Sequence, residues 1–286
     1  MKVIIICIST LLLLFSYLVN AGQLDNIAAE FNNGNFGQAF KLLQPLAEQG
    51  NPIAQYNLGV LYGGGLGVPR DYEKAAGWYK KAAAQNHAIA QTNLGAAYDL
   101  GQGVPQNYNK AADWYIKASE QGENTAQANL GLMYYVGKGV MQDYKKAAYW
   151  YEKAANQRNT IAQYNLGIMY AKGIGVTQDY NVAFDLYMKA ALQGNADAQY
   201  NLGVMYTKGQ GVTQDFKQAV EWYRKAADKE NILAQSNLGA MYYNGAGLNQ
   251  DYKQAVYWFK KAAAQGDLIA QQNLDVMYTN GQAKPE

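Results

Sequence analysis

The side chains best suited to chemistry in this chain return on a fixed period. Asn57, Asn93, Asn129, Asn165, Asn201, Asn237 and Asn273 stand 36 residues apart, each two places after a glutamine: Gln55, Gln91, Gln127, Gln163, Gln199, Gln235 and Gln271. An amide both donates and accepts hydrogen bonds, so such a row could hold an extended peptide backbone or could tie each repeat to its neighbour. Two further columns vary from copy to copy, which leaves them free to encode a partner. The residue before the asparagine reads Tyr56, Thr92, Ala128, Tyr164, Tyr200, Ser236 and Gln272. The residue after a recurring tyrosine reads Gly63, Asp99, Tyr135, Ala171, Thr207, Tyr243 and Thr279. One place further on, Lys172 and Lys208 set cations in successive copies, a basic spot suited to a peptide carboxylate. These columns give the candidate partner-binding set: Tyr56, Asn57, Asn93, Asp99, Asn129, Tyr135, Tyr164, Asn165, Lys172, Tyr200, Asn201, Lys208, Asn237 and Tyr243.

Other chemistries find no constellation. The run Gly63-Gly64-Gly65-Leu66-Gly67 invites a phosphate-cradle reading, but no Gly-Lys-Ser/Thr follows and no strand precedes it. His87 is the sole histidine and lies in a polar turn between repeats, where a surface side chain is expected and no oriented base or metal cluster can form. Carboxylates are scattered and concentrate nowhere. No nucleophile, base or metal set emerges, so neither catalysis nor a cofactor is expected.

The elements that must carry these columns are helices. Ala54, Leu58, Leu61 and Tyr62 form an apolar stripe at helical spacing, and Gly59 beside Leu58 lets a partner helix approach. Glycine pairs such as Gly101-Gln102-Gly103 and Gly137-Lys138-Gly139 stop each first helix, and the apolar residue that follows, Val68 or Val104 for example, tucks under the loop. Asp71, Asn107, Asp143, Asp179, Asp215 and Asp251 are placed to cap a second helix. Ala75, Ala76, Tyr79, Ala82 and Ala83 give that helix a small-residue face, while Trp78, Trp114, Trp150, Trp222 and Trp258 supply bulk between layers. Lys80 and Lys81 read as a solvated face. Tyr62, Tyr98, Tyr134, Tyr170, Tyr206, Tyr242 and Tyr278 recur in every copy, as stacking requires.

With Leu58-Gly59, Tyr62, Gly65-Leu66-Gly67-Val68, Asp71, Lys74-Ala75, Trp78-Tyr79 and Lys81-Ala82-Ala83 in view, the chain resembles the Sel1-like repeat family, a branch of the tetratricopeptide-like helical repeats. The resemblance implies an all-α, right-handed solenoid of antiparallel helix pairs whose first helices line a concave groove. Six repeats span 52–87, 88–123, 124–159, 160–195, 196–231 and 232–267. Residues 22–51 form a capping pair, in which Pro45 should kink the second helix, and 268–286 form a last helix and tail. In the terminal copy, Asn273-Leu274-Asp275, the glycine is gone. Cysteine-rich members of the family have been described as penicillin-binding or β-lactamase-like. This chain lacks their cysteines, and neither Ser119 nor Ser236 begins a Ser-x-x-Lys.

Residues 1–21 differ from the rest: Lys2, an apolar run from Val3 to Val19, then Ala21 before Gly22. They read as a secretory signal peptide, and Cys7, the only cysteine, lies within it. The balance of 24 basic to 22 acidic residues offers no field for nucleic acid or an anionic membrane. The resulting expectation is an exported chain, periplasmic or secreted, monomeric and without a membrane anchor after cleavage. It would be a scaffold for a protein or peptide, in envelope processes or host interaction. A periplasmic binder of peptidoglycan or another saccharide, favoured by the many tyrosines, is the alternative. Intact-mass analysis of the exported chain should find Gly22 at its N terminus; a chain retaining Met1 and needing detergent for extraction would replace this reading with an anchored one.

Overall fold

The computed structural model describes residues 21–284, so the leader assigned to residues 1–21 lies outside it except for Ala21. Fifteen helices follow one another among the described residues, and no strand. They fall into two compact units, divided after Ala154. The first unit holds α1 (Ala21–Asn32), α2 (Phe36–Glu48), α3 (Pro52–Gly64), α4 (Tyr72–Ala84), α5 (Ala88–Leu100), α6 (Tyr108–Glu120), α7 (Asn124–Val136) and most of α8 (Tyr144–Asn156). The second holds α9 (Thr160–Lys172), α10 (Tyr180–Leu192), α11 (Ala196–Lys208), α12 (Phe216–Ala227), α13 (Ile232–Asn244), α14 (Tyr252–Ala264) and α15 (Leu268–Thr279). Within each unit consecutive helices pack on one another, and in the second the first helices α11 and α13 also touch. No helix among the described residues is long and apolar enough to cross a membrane.

Caps set the helix bounds. The second helices start where Asp71, Asn107, Asp143, Asp179, Asp215 and Asp251 accept from backbone N–H groups one turn in, as at Lys74 N (2.9 Å) and Gln254 N (3.0 Å). The first helices end on left-handed glycines, among them Gly65 at φ 67° and Gly137 at φ 73°. Helix α2 runs on through Pro45 to Glu48, so the expected kink does not end it. The turn between repeats also demands a left-handed residue. Glycine supplies it at 50, 122, 194 and 266, but Asn86, Arg158 and Glu230 take the same place at φ 65°, 63° and 62°. Each non-glycine there costs about 1–2 kcal/mol.

The core is a row of small clusters, one per layer. Leu43, Leu58 and Leu61 are buried in the first, and Trp78 from the following helix packs onto it. Trp114, Trp150, Trp222 and Trp258 do the same for later clusters, as their spacing predicts. The glycine beside each recurring leucine has a specific cause. A Cβ on Gly59 would sit 2.5 Å from Cε1 of Tyr79, and Gly95, Gly131, Gly167, Gly203 and Gly239 meet Tyr115, Tyr151, Tyr187, Tyr223 and Phe259 in the same way. The close approach is therefore between one helix backbone and one aromatic ring of the same repeat. Asp275 stands in the glycine's place in α15, the last helix among the described residues.

Gly131→Val should lower stability by about 1–3 kcal/mol, because its Cβ would fall 2.8 Å from the Tyr151 ring in a core with no slack. Gly77, exposed in the middle of α4 with nothing within 4 Å, is the contrast: Gly77→Ala should stabilise by about 0.5–1 kcal/mol. Chemical denaturation of both variants checks the pair; equal midpoints would dissolve the distinction.

Candidate functional site

Each first helix from α3 to α13 is flanked by its own second helix and by neighbouring helices, so little of its circumference reaches solvent. Tyr56 is 8% exposed, stacked on His87 with centroids 5.0 Å apart and tilted over Tyr79 at 6.2 Å. Thr92, at the same position one repeat later, is buried and donates to Glu123 Oε2 at 2.9 Å. Tyr164 and Tyr200 are half-buried, with ring centroids 6.0 Å from Tyr187 and Tyr223. The variable column is thus part of the seam between repeats, which corrects the expectation that packing makes no demand there. Truncating Tyr164 would remove a packed ring as well as any ligand contact.

The glutamine row is a built tie. Gln55, Gln91, Gln127, Gln163, Gln199 and Gln235 donate from Nε2 to carbonyls at the end of the preceding second helix, from Ala47 O to Ala227 O, at 3.0–3.2 Å. A second glutamine caps the tie: Gln85, Gln121, Gln193 and Gln265 donate to Oε1 of Gln55, Gln91, Gln163 and Gln235. This partner row was not read from the sequence, although the recurrence of glutamine at 49, 85, 121, 157, 193 and 265 was there to find. The asparagines behave differently. Asn57 and Asn93 are buried, while Asn129, Asn165, Asn201 and Asn237 are half-buried; Asn93, Asn129, Asn201 and Asn237 lie beside the hydroxyls of Tyr79, Tyr115, Tyr187 and Tyr223. Nδ2 of Asn93 and of Asn129 reaches no acceptor with hydrogen-bond geometry.

In the column after the recurring tyrosine, Tyr135 packs edge-on against Tyr144 at 5.3 Å and Tyr243 lies tilted against Tyr252 at 5.6 Å. Asp99 has a side chain only 12% exposed and pairs with Lys138 at 2.9 Å, whose ammonium also lies 4.0 Å from the Tyr108 ring centroid. That carboxylate links two repeats. Lys172 and Lys208 are different: they end α9 and α11, are exposed, and hold no ion pair among the described residues. They lie seven residues after Asn165 and Asn201, hence two turns along the same helix face. Of the fourteen candidates, the second unit holds Tyr164, Asn165, Lys172, Tyr200, Asn201, Lys208, Asn237 and Tyr243 on α9, α11 and α13.

His87 is not the surface residue that its polar turn suggested. Its Nδ1 accepts from Ala90 N at 3.2 Å, capping α5 where other first helices use Asn, Asp or Glu, and burial holds its pKa below the ordinary value. Lys81 likewise covers Trp78 at 3.8 Å from the ring centroid instead of simply standing in water. No three His, Cys, Asp or Glu side chains among the described residues gather where they could hold a metal ion.

Helix pairs capped alike, tied by glutamines and stacked through ring-on-glycine contacts define an α-helical repeat protein of the solenoid class. A model of the Sel1 repeat matches residues 33–51, 52–87, 88–123, 124–159, 160–195, 196–231 and 232–267, and the chain belongs to the Sel1 repeat family. It is similar to a Sel1 repeat protein from Oxalobacter formigenes of known structure, with 37% identity, TM-score 0.74, and 88% of this chain and 76% of that one covered. It is also similar to a protective antigen of uropathogenic Escherichia coli displaying the same repeat fold, with 34% identity, TM-score 0.68, and coverage of 92% and 68%. Comparison with the curated proteins gives no match.

Burial raises the hydroxyls of Tyr79, Tyr115, Tyr151 and Tyr187 far above their ordinary value of 10.0, and pushes those of Tyr164 and Tyr223 up to about 12. Below pH 10 folded and unfolded chains both hold these protons, so the stability is fully present. Above it the unfolded chain releases protons that the folded chain retains, and stability falls until the folded hydroxyls ionise. Thermal melts should therefore be flat from about pH 8 to 10 and drop steeply from about pH 10 to 12, with tyrosinate absorbance rising together with the loss of helix. Ionisation of every tyrosine by about pH 10 in a chain that stays helical would contradict the burial.

Proposed function

We propose that this chain is an exported, non-enzymatic scaffold that holds a peptide or a partner protein along the exposed strip of its first helices, in the cell envelope or toward a host cell. Sel1 repeat proteins generally mediate protein–protein interaction, and the scaffold is generally non-enzymatic. The observation that carries the reading is the pair Lys172 and Lys208. Two long cations at matching positions of α9 and α11 stay exposed without a carboxylate, on the same face as the half-buried amides of Asn165 and Asn201. Each also lies beside the carbonyl end of its helix, where a cation is favoured. An extended segment laid across these helices would meet amides able to pair with its backbone and ammonium groups able to take a terminal or side-chain carboxylate.

The lysines give the cleaner test, because the tyrosines on this face also pack between repeats. Panning the full chain against peptides with free and with amidated C termini should enrich the free acids. Lys172→Glu with Lys208→Glu should weaken the selected peptides by about tenfold or more while leaving circular dichroism and melting unchanged. Unaltered binding of the selected peptides by the double variant would move the site off this face.

A further inference from the structure

The first helix of the second repeat departs from its copies at one point. Ala96-Ala97 stands where the others carry Val60-Leu61, Leu132-Met133, Ile168-Met169, Val204-Met205, Ala240-Met241 and Val276-Met277. The second member of each of those pairs is buried, from 0% to 7% exposed, and fills the space between layers. Ala97 takes the same place with a single methyl group. A cavity of about 290 Å³ opens there, lined among others by Val60, Leu66, Tyr72, Tyr79, Asn93 and Ala97. Gly63 adds to the opening: a Cβ there would come no closer than 3.6 Å to anything, so this glycine leaves room and relieves no clash.

Two polar groups mark the cavity. Asn93 is 7% exposed, and its Nδ2 lacks a hydrogen-bond partner in a wall that is otherwise mainly apolar. A buried donor without an acceptor is unfavourable, and an incoming oxygen would satisfy it. The second group is Arg70. The five following repeats place Gln106, Gln142, Gln178, Gln214 and Gln250 at its position, each donating to the carbonyl of the residue in the Gly63 column, as Gln106 does to Asp99 O at 2.7 Å. Arg70 instead makes a long 3.4 Å contact to Gly64 O and brings an exposed guanidinium to the cavity, with no ion pair among the described residues.

We propose that this cavity binds an apolar carboxylic acid. One aromatic or branched aliphatic group occupies the space that Leu or Met fills in the other repeats, and its carboxylate meets Arg70, with Asn93 donating to an oxygen. The volume agrees, since a cavity of roughly 150 Å³ already accepts a benzene ring. A free aromatic acid and the apolar C-terminal residue of a peptide present the same chemistry.

The test uses variants that copy other repeats and so keep the fold. Ala97→Met closes the cavity with the side chain found at five of the other positions, and Arg70→Gln installs the residue of the five later repeats. Titration calorimetry of the full chain with 3-phenylpropionate, acetyl-alanyl-phenylalanine and the amide of that dipeptide gives three arms. At least one acid should bind the unaltered chain, more tightly than the amide does, and Ala97→Met should abolish that binding. Arg70→Gln should weaken the acid by about tenfold or more and erase its advantage over the amide. The tighter of the two acids identifies the source. Binding that survives Ala97→Met, an amide that binds the unaltered chain as well as its acid, or failure of both acids to bind overturns the proposal.

Discussion

Twenty residues separate each glycine of a first helix from the ring that lies on it, and the interval is the same from Gly59 to Tyr79 as from Gly239 to Phe259. The ring can lie there only if the backbone beneath it carries no Cβ, so the hairpin angle, the burial of the alanine face and the stacking of the next layer all inherit that contact. Phe259 shows that the ring matters here and not its hydroxyl. The hydroxyls of Tyr115, Tyr187 and Tyr223 instead serve the next layer, each facing the asparagine of the following repeat, as Tyr187 faces Asn201. One residue pair therefore sets both the inside of a repeat and the polar chemistry of its outer seam.

Layers are joined by hydrogen bonds that run one way. A glutamine in each first helix from α3 to α13 reaches back to the helix before it, and in four repeats the glutamine ending its own second helix reaches back to that glutamine. Each bond contributes only about 1 kcal/mol net, but where Gln85, Gln121, Gln193 and Gln265 close the tie, Nε2 and Oε1 of the first glutamine are both occupied. At position 229 a lysine replaces the second glutamine, and its Nζ goes to Gly194 O at 2.6 Å, much as Gln85 also reaches Gly50 O. The reach to the backbone survives this change of residue, but the bond to the first glutamine does not, and Oε1 of Gln199 is left without a partner.

Much of this was legible before any coordinates, since helices, caps and loop glycines are local and their period is unmistakable. Asp71 as a cap and Gly65 as a left-handed stop need only neighbours in sequence. Burial was harder to read. A first helix is pressed from several sides, so the variability of the Tyr56 column suggested freedom, whereas the structure puts Tyr56 against His87 and Thr92 against Glu123. Co-variation of contacts across a seam looks like an open surface when only one strand of sequence is in view. The cavity was missed for the opposite reason: Ala96-Ala97 reads as ordinary helix, and its meaning lies in the bulk that six other copies place there.

The turns between repeats are not alike. Glycine occupies the left-handed position after the first, third, fifth and seventh second helices, while Asn86, Arg158 and Glu230 occupy it after the others. In a linear array each layer leans only on its neighbours, so such strain stays at its own joint and is not shared along the chain. Glycine at 86, 158 or 230 would therefore ease its own joint and leave its neighbours as they are.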